Sequence, residues 1–261
     1  MNTGTIVDAA AAGDPARAAL IIDGRSISYG ELAATVRQCA AILAARGVVA
    51  GDRVAVVDGG SLLSIATLLG AARMGAAAAL MNPALTPPEL RGLLKNAGCA
   101  DVVVAGEAYV DRLREAGAPT VLTESDFARG PSSASPDISD TPHDADALIL
   151  FTSGTTGLPK AVSITNGQLT MRIRGMSAPF RADAKPSVGM MCVPFFHVGG
   201  SLGMLGSLYS GNTSVVQKRF DAGEWLRLVS EHRVTEWSAS SQESPRSRGR
   251  PSPGVAFQDG P

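Results

Sequence analysis

The chain has 261 residues, 45% of them hydrophobic, and a formal net charge of −1. That much apolar surface supports one large globular domain or two small ones, and the near-neutral charge leaves no basic footprint for nucleic acid or an anionic membrane surface. Cys39, Cys99 and Cys192 are scattered, odd in number and without a CxxC pair, which argues against a disulfide frame or a zinc site and fits a reducing, cytoplasmic compartment.

The opening "MNTGTIVDAAAAGDPAR" has no basic start and no long apolar run, so it does not read as a signal peptide. "ALIID" reads as a strand. "SYGELAATVRQCAAILAARG" is helical, with Leu32, Val36, Cys39 and Leu43 on one face, a capping box from Ser28 to Glu31 and Gly47 as its stop. "DRVAVVD" is a buried strand. Residues 61–81, "SLLSIATLLGAARMGAAAALM", resemble a membrane span, but Arg73 near the middle costs about 2.5–3.5 kcal/mol on insertion scales. A buried helix running into a short core strand is the better reading. "LTPPELRGLLKNAG" is a Pro-started helix, and "ADVVVAG" another strand. This alternation predicts an α/β fold with a largely parallel sheet.

Residues 130–142, "GPSSASPDISDTP", read as a surface loop or linker. "DALILF" and "AVSIT" are strands on either side of a Gly/Ser/Thr loop. Thr165 and Gln168 then cap a helix opening at about Asn166. "SVGMMCVPFF" is a buried run and "TSVVQK" a short strand. Asp221 and Glu224 cap "GEWLRLVSEHR", with Trp225, Leu228 and Val229 sharing a face, and "VTEWSA" begins one more core strand.

The loop carries the chemistry. Gly154 and Gly157 expose backbone N–H groups, Thr152, Ser153, Thr155 and Thr156 add hydroxyls, and Lys160 adds a point charge. So many converging donors suit a polyphosphate. A surface hairpin turn of ordinary Gly, Ser and Thr is the plain alternative. The common P-loop fails: its glycines stand farther apart, its lysine precedes Ser or Thr, and it opens a helix, whereas Ala161 follows Lys160 here and a strand follows both.

"ILFTSGTTGLPK", residues 149–160, resembles the phosphate-loop signature of the acyl-adenylate-forming superfamily at every position. "SYGELAATVRQCAAILAARGVVAGDRVAVV", "GAARMGAAAALMNPALTPPEL" and "VPFFHVGG" resemble successive blocks of the same family in the right order. The resemblance spans roughly residues 15–239. It implies stacked, largely parallel sheets flanked by helices, the first part of the family's N-terminal domain. It also implies a reaction in which ATP activates a small carboxylic acid to an acyl-adenylate and coenzyme A then takes the acyl group. On the matching positions, Thr152, Ser153, Gly154, Thr155, Thr156, Gly157 and Lys160 would wrap the β- and γ-phosphates, with Thr152 also touching Mg2+.

By the same resemblance, His197 corresponds to the gate beside the substrate carboxylate, and Val198, Gly199 and Gly200 would lie against the substrate. Lys160 and His197 are the expected catalytic residues. A lone histidine after an apolar run is otherwise a satisfied core side chain, and His143 and His232 read as surface residues. "FFHVGG" resembles the acyl- or aryl-CoA ligases, since amino-acid adenylation domains carry Phe-Asp at that point. Asn166, where relatives have His, and Ala161, where they have Gly, depart from the pattern.

The family's later blocks are not found after Trp237. Residues 241–261 hold four Ser, four Pro, three Arg and three Gly, and too few apolar residues to bury anything. The reading is therefore a truncated domain over 1–239, catalytically incomplete on its own. It is followed over 240–261 by a disordered tail, read as non-native and of the kind out-of-frame translation produces, with a native flexible tail on a naturally short protein as the plain alternative.

Overall fold

The computed structural model describes residues 1–99, 101–130, 136–152, 159–177 and 186–238. A short helix α1 (Asp8–Gly13) leads to a hairpin of β1 (Ala18–Ile22) and β2 (Arg25–Ser28). The strand β2 is absent from the sequence reading, although its signal is there. Asp23 and Gly24 form the two-residue turn with φ of 52° and 73°, the left-handed pair that Asp-Gly supplies in a hairpin.

Helix α2 (Tyr29–Ala45) starts at the expected capping box: Ser28 Oγ accepts from Glu31 N at 3.1 Å, and Glu31 accepts from Ser28 N at 2.7 Å. Leu32, Val36, Cys39 and Leu43 are all buried on it. Next come β3 (Arg53–Val57), α3 (Leu62–Arg73), β4 (Ala77–Met81), α4 (Pro87–Ala97) and β5 (Val102–Ala105), as read. The membrane-like run is α3 and β4, buried in the core, and Arg73 ion-pairs with Asp8 at 2.8 Å. No helix of the described residues is long and apolar enough to cross a membrane.

Three small elements follow that periodicity did not mark: α5 (Val110–Ala116), β6 (Thr120–Leu122) and α6 (Glu124–Ala128). Residues 136–142 dock on the body. Asn2 Nδ2 donates to the Ser139 carbonyl at 3.1 Å, and Ser139 N to that of Arg73 at 2.9 Å. The remaining elements are β7 (Asp146–Thr152), β8 (Lys160–Thr165), α7 (Asn166–Ser177), β9 (Val188–Met191), α8 (Val198–Tyr209), β10 (Thr213–Val216), α9 (Ala222–Glu231) and β11 (Glu236–Ser238). The tail expected from residue 240 lies outside the described residues.

The strands form two sheets, ordered β6-β5-β3-β4-β7-β8 and β11-β9-β10-β1-β2. Both are parallel except for the hairpin pairs β7–β8 and β1–β2. Alternation along the strands builds the layers. Ala55, Val57, Ala79, Met81 and Val103 face α4 and α5 on one side of the six-stranded sheet. Val54, Val56, Ala78, Leu80 and Val104 face the main core between the sheets, shared with Ala19, Leu20 and Ile22 of the other sheet. On the outer side of the five-stranded sheet, Met190 and Val215 meet Leu228 and Trp225 of α9.

Candidate active site

Strand β7 is buried from Ala147 to Leu150 and reaches the surface at Thr152. Strand β8 returns antiparallel, and the register pairs Thr152 with Lys160. Paired side chains on one face stand about 4.5–5.5 Å apart at Cβ. The threonine and the lysine that begin and end the glycine-rich segment are therefore cross-strand neighbours, both exposed. They stand at the C-terminal end of β7, which runs parallel to β4, the end of an α/β sheet where ligands bind. The expected phosphate-loop residues Ser153, Gly154, Thr155, Thr156 and Gly157 lie outside the described residues.

The base of this hairpin is tied down. Asp146 takes Arg53 Nη2 at 2.6 Å and also the Ser163 hydroxyl. At its far end the Thr165–Gln168 box forms as expected, Gln168 N donating to Thr165 Oγ1 at 3.3 Å and Thr165 N to Gln168 Oε1 at 3.1 Å. Asn166 is buried. Its N–H bonds the Ala145 carbonyl at 2.8 Å, its Nδ2 the Thr141 carbonyl at 3.3 Å, and its Oδ1 accepts from Thr3 at 3.4 Å. That asparagine fastens the start of α7 to the preceding loop and to the N-terminus.

The second group of residues belongs to the other sheet. His197 follows β9 and stands at the N-cap of α8, without a side-chain cap bond. Its ring lies 4.7 Å from that of Phe196, tilted by 48°. His197, Val198 and Gly199 are exposed. Gly200 is buried, and a Cβ there would meet the Pro194 carbonyl oxygen at 2.2 Å, so its own loop makes the close approach. His143 is exposed as expected, whereas His232 is half-buried, its Nε2 3.7 Å from Glu231.

The fold thus joins Thr152 to Lys160 directly and gathers His197 with its three followers at one helix start. These are two loops on two sheets. Comparison with known families decides what they belong to: the AMP-binding enzyme family matches residues 7–242. The chain belongs to that family.

Curated relatives of this AMP-binding chain include 4-coumarate–CoA ligase 3 of Oryza sativa subsp. japonica, 31% identical over 81% of the chain and 41% of the relative. Others are long-chain-fatty-acid–CoA ligase FadD13 of Mycobacterium tuberculosis, 27% identical over 80% and 43%, and indoleacetate–CoA ligase of Aromatoleum aromaticum, 30% identical over 88% and 48%. The chain therefore spans less than half the length of these relatives. Among solved structures, the inhibitor-bound N-terminal domain of FACL13 from Mycobacterium tuberculosis superposes with a TM-score of 0.80 at 27% identity, covering 91% of the chain and 62% of that domain. The o-succinylbenzoate coenzyme A synthetase of Bacillus subtilis in complex with ATP and magnesium gives 0.79 at 25%, covering 92% and 50%.

One part of this AMP-binding fold escaped the sequence reading. Asp58, at the C-terminal end of β3, accepts the N–H groups of Gly60 at 3.2 Å and Ser61 at 2.7 Å. Burial pushes its carboxyl up, but the hydrogen bonds from Ser61, Ser64 and Gly59 outweigh this and hold it below the ordinary aspartate range. The available signal was an Asp directly after a buried strand, followed by Gly-Gly and a capping Ser.

Proposed function

We propose that the chain takes part in ATP-dependent activation of a small carboxylic acid to an acyl-adenylate, followed by transfer of the acyl group to the thiol of coenzyme A. The observation that carries the reading is the Thr152–Lys160 pair, which brackets the family's phosphate-loop segment at the C-terminal end of a core strand. The named relatives, which are ligases of 4-coumarate, long-chain fatty acids and indoleacetate, support it.

A carboxylate is a poor electrophile. ATP supplies the adenylyl group that turns one of its oxygens into a leaving group. The chain's own work is then positioning and charge neutralisation. Lys160 would place its ammonium against the departing pyrophosphate, with Ser153, Gly154, Thr155, Thr156 and Gly157 as further donors. Thr152 offers one hard oxygen of the kind Mg2+ prefers. Mg2+ keeps waters and substrate phosphates as further ligands in sites of this kind. His197 would stand beside the substrate carboxylate, with Val198, Gly199 and Gly200 along the acyl group.

The test is pyrophosphate release by the purified chain from ATP, with a panel of aryl, fatty and amino acids and Lys160→Ala as control. Acid-dependent release that falls in the control is the expected result. Release with amino acids alone would move the chain to the amino-acid-adenylating branch. ATP binding that needs Lys160, with no release for any acid, would make it a phosphate-holding chain without turnover.

A further inference from the structure

We infer that the Asp58–Gly60 turn of the six-stranded sheet is the seat that positions His197 on the five-stranded sheet. The contact that carries this is between Gly60 and Phe195. Gly60 has φ +105°, a conformation natural to glycine, and it is held there because Asp58 takes its N–H and that of Ser61. Ser61 in turn caps α3, accepting from Ser64 N at 3.4 Å, so the turn is anchored to the most deeply buried helix. A Cβ at Gly60 would stand 3.0 Å from Phe195 Cβ and 3.8 Å from its Cγ. The glycine backbone and the phenylalanine side chain pack closely enough that a methyl group between them would push Phe195 aside.

Phe195 is 5% exposed and belongs to the main core. From it the chain runs directly to the Phe196–His197 ring pair. His197 N donates to the Pro194 carbonyl at 3.0 Å, and the His197 carbonyl accepts from Ser201 N and Oγ at 3.0 Å. The imidazole itself makes no capping bond. Its location follows from where Phe195 fixes the backbone. Asp58 and Gly60 are positioning residues: they touch no expected reactant and act through Phe195.

The role of His197 in the reaction rests on the function proposed above, whereas its placement does not, and the experiment reads placement. The chain has three histidines, His143, His197 and His232, so the imidazole Cε1–Hε1 NMR spectrum holds three cross-peaks, assigned with His197→Gln. In Gly60→Ala the His197 peak is expected to leave its wild-type position while those of His143 and His232 stay. Gly24→Ala serves as control: Gly24 also has positive φ, +73°, but nothing lies within 4 Å of its added Cβ. It should leave all three peaks in place. If Gly60→Ala does not fold, Phe195→Leu, which keeps apolar bulk and removes the ring, decides in the same way. A folded variant whose His197 peak overlays the wild type overturns the inference, as does a His197 shift of equal size in Gly24→Ala. Loss of acid-dependent pyrophosphate release in His197→Ala, measured separately, addresses the reaction.

Discussion

Arg53 Nη2 lies 2.6 Å from Asp146 Oδ2, and the same guanidinium donates through Nη1 to the Ala97 carbonyl at 2.8 Å. One side chain thus joins the end of α4 to the start of the strand that leads to Thr152. The pair is partly exposed, at 36% and 27% of the side chains, so screening reduces its Coulomb energy. The bond to Ala97 is lost with it. Arg53→Ala is expected to lower stability by about 1–2 kcal/mol, read as a lower urea midpoint with an unchanged slope.

Lys160 is exposed at the start of β8, so removing its ammonium should leave the fold intact. If it meets phosphate, Lys160→Ala gives up a charge-assisted bond of about 1.5–3 kcal/mol, or about 10- to 100-fold in affinity. Calorimetric titration with ATP and Mg2+ measures this directly. Equal affinity in the variant would remove Lys160 from the site.

Acid should weaken the protein in a window set by Asp58. Burial raises its carboxyl pKa, hydrogen bonds from Ser61, Ser64 and Gly59 together lower it by more, and the folded group titrates below the unfolded one. Its contribution is therefore present above the ordinary aspartate value of about 3.9 and is lost as pH falls through the lower folded value. Glu31, held down by Ser28, Glu89 by Thr86 and Glu107 by Thr123 act with the same sign. Asp58→Asn should lower stability near neutral pH and make the fall on acidification below the ordinary aspartate value shallower, measured as urea midpoints over a series of decreasing pH.

None of the three cysteines is in a disulfide. Burial pushes the Cys39 thiol up to about 12 and that of Cys99 to about 11. Cys39 and Cys192 are buried and Cys99 half-buried. Alkylation of the native protein at mildly alkaline pH should mark Cys99 first, with Cys39 and Cys192 following only as the chain unfolds. Mass spectrometry of the timed digest shows the order.

What was legible in the sequence was local. The boxes at Ser28–Glu31 and Thr165–Gln168 and the cap from Asp221 to Glu224 N each need a few residues and no tertiary partner. Helix α8 was missed for the opposite reason. Gly199, Gly200, Gly203 and Gly206 make it a poor helix by propensity, and burial of Leu202, Met204, Leu205 and Leu208 overrides that cost. Strand β6 is three residues long, too short for any period to show. At the site, the motif marked Thr152 and Lys160 but not their pairing across the hairpin. The contact of Gly60 with Phe195 joins distant positions and leaves no trace in either neighbourhood.

Helix α2 packs on β1 and β2 of the five-stranded sheet, α3 on β3, β4 and β5 of the other, and the two helices on each other. Where they meet, a Cβ on Gly70 would stand 3.0 Å from Cys39 Cβ, 3.1 Å from Ala40 N and 3.1 Å from the Val36 carbonyl oxygen. That missing side chain is a spacer gauge between the sheets. Lys160 hangs from one sheet and His197 from the other, so under the function proposed above the gap between those two groups would be set in part by a residue that touches neither. One added methyl at Gly70 would press α2 and α3 apart and shift one sheet against the other from inside the core.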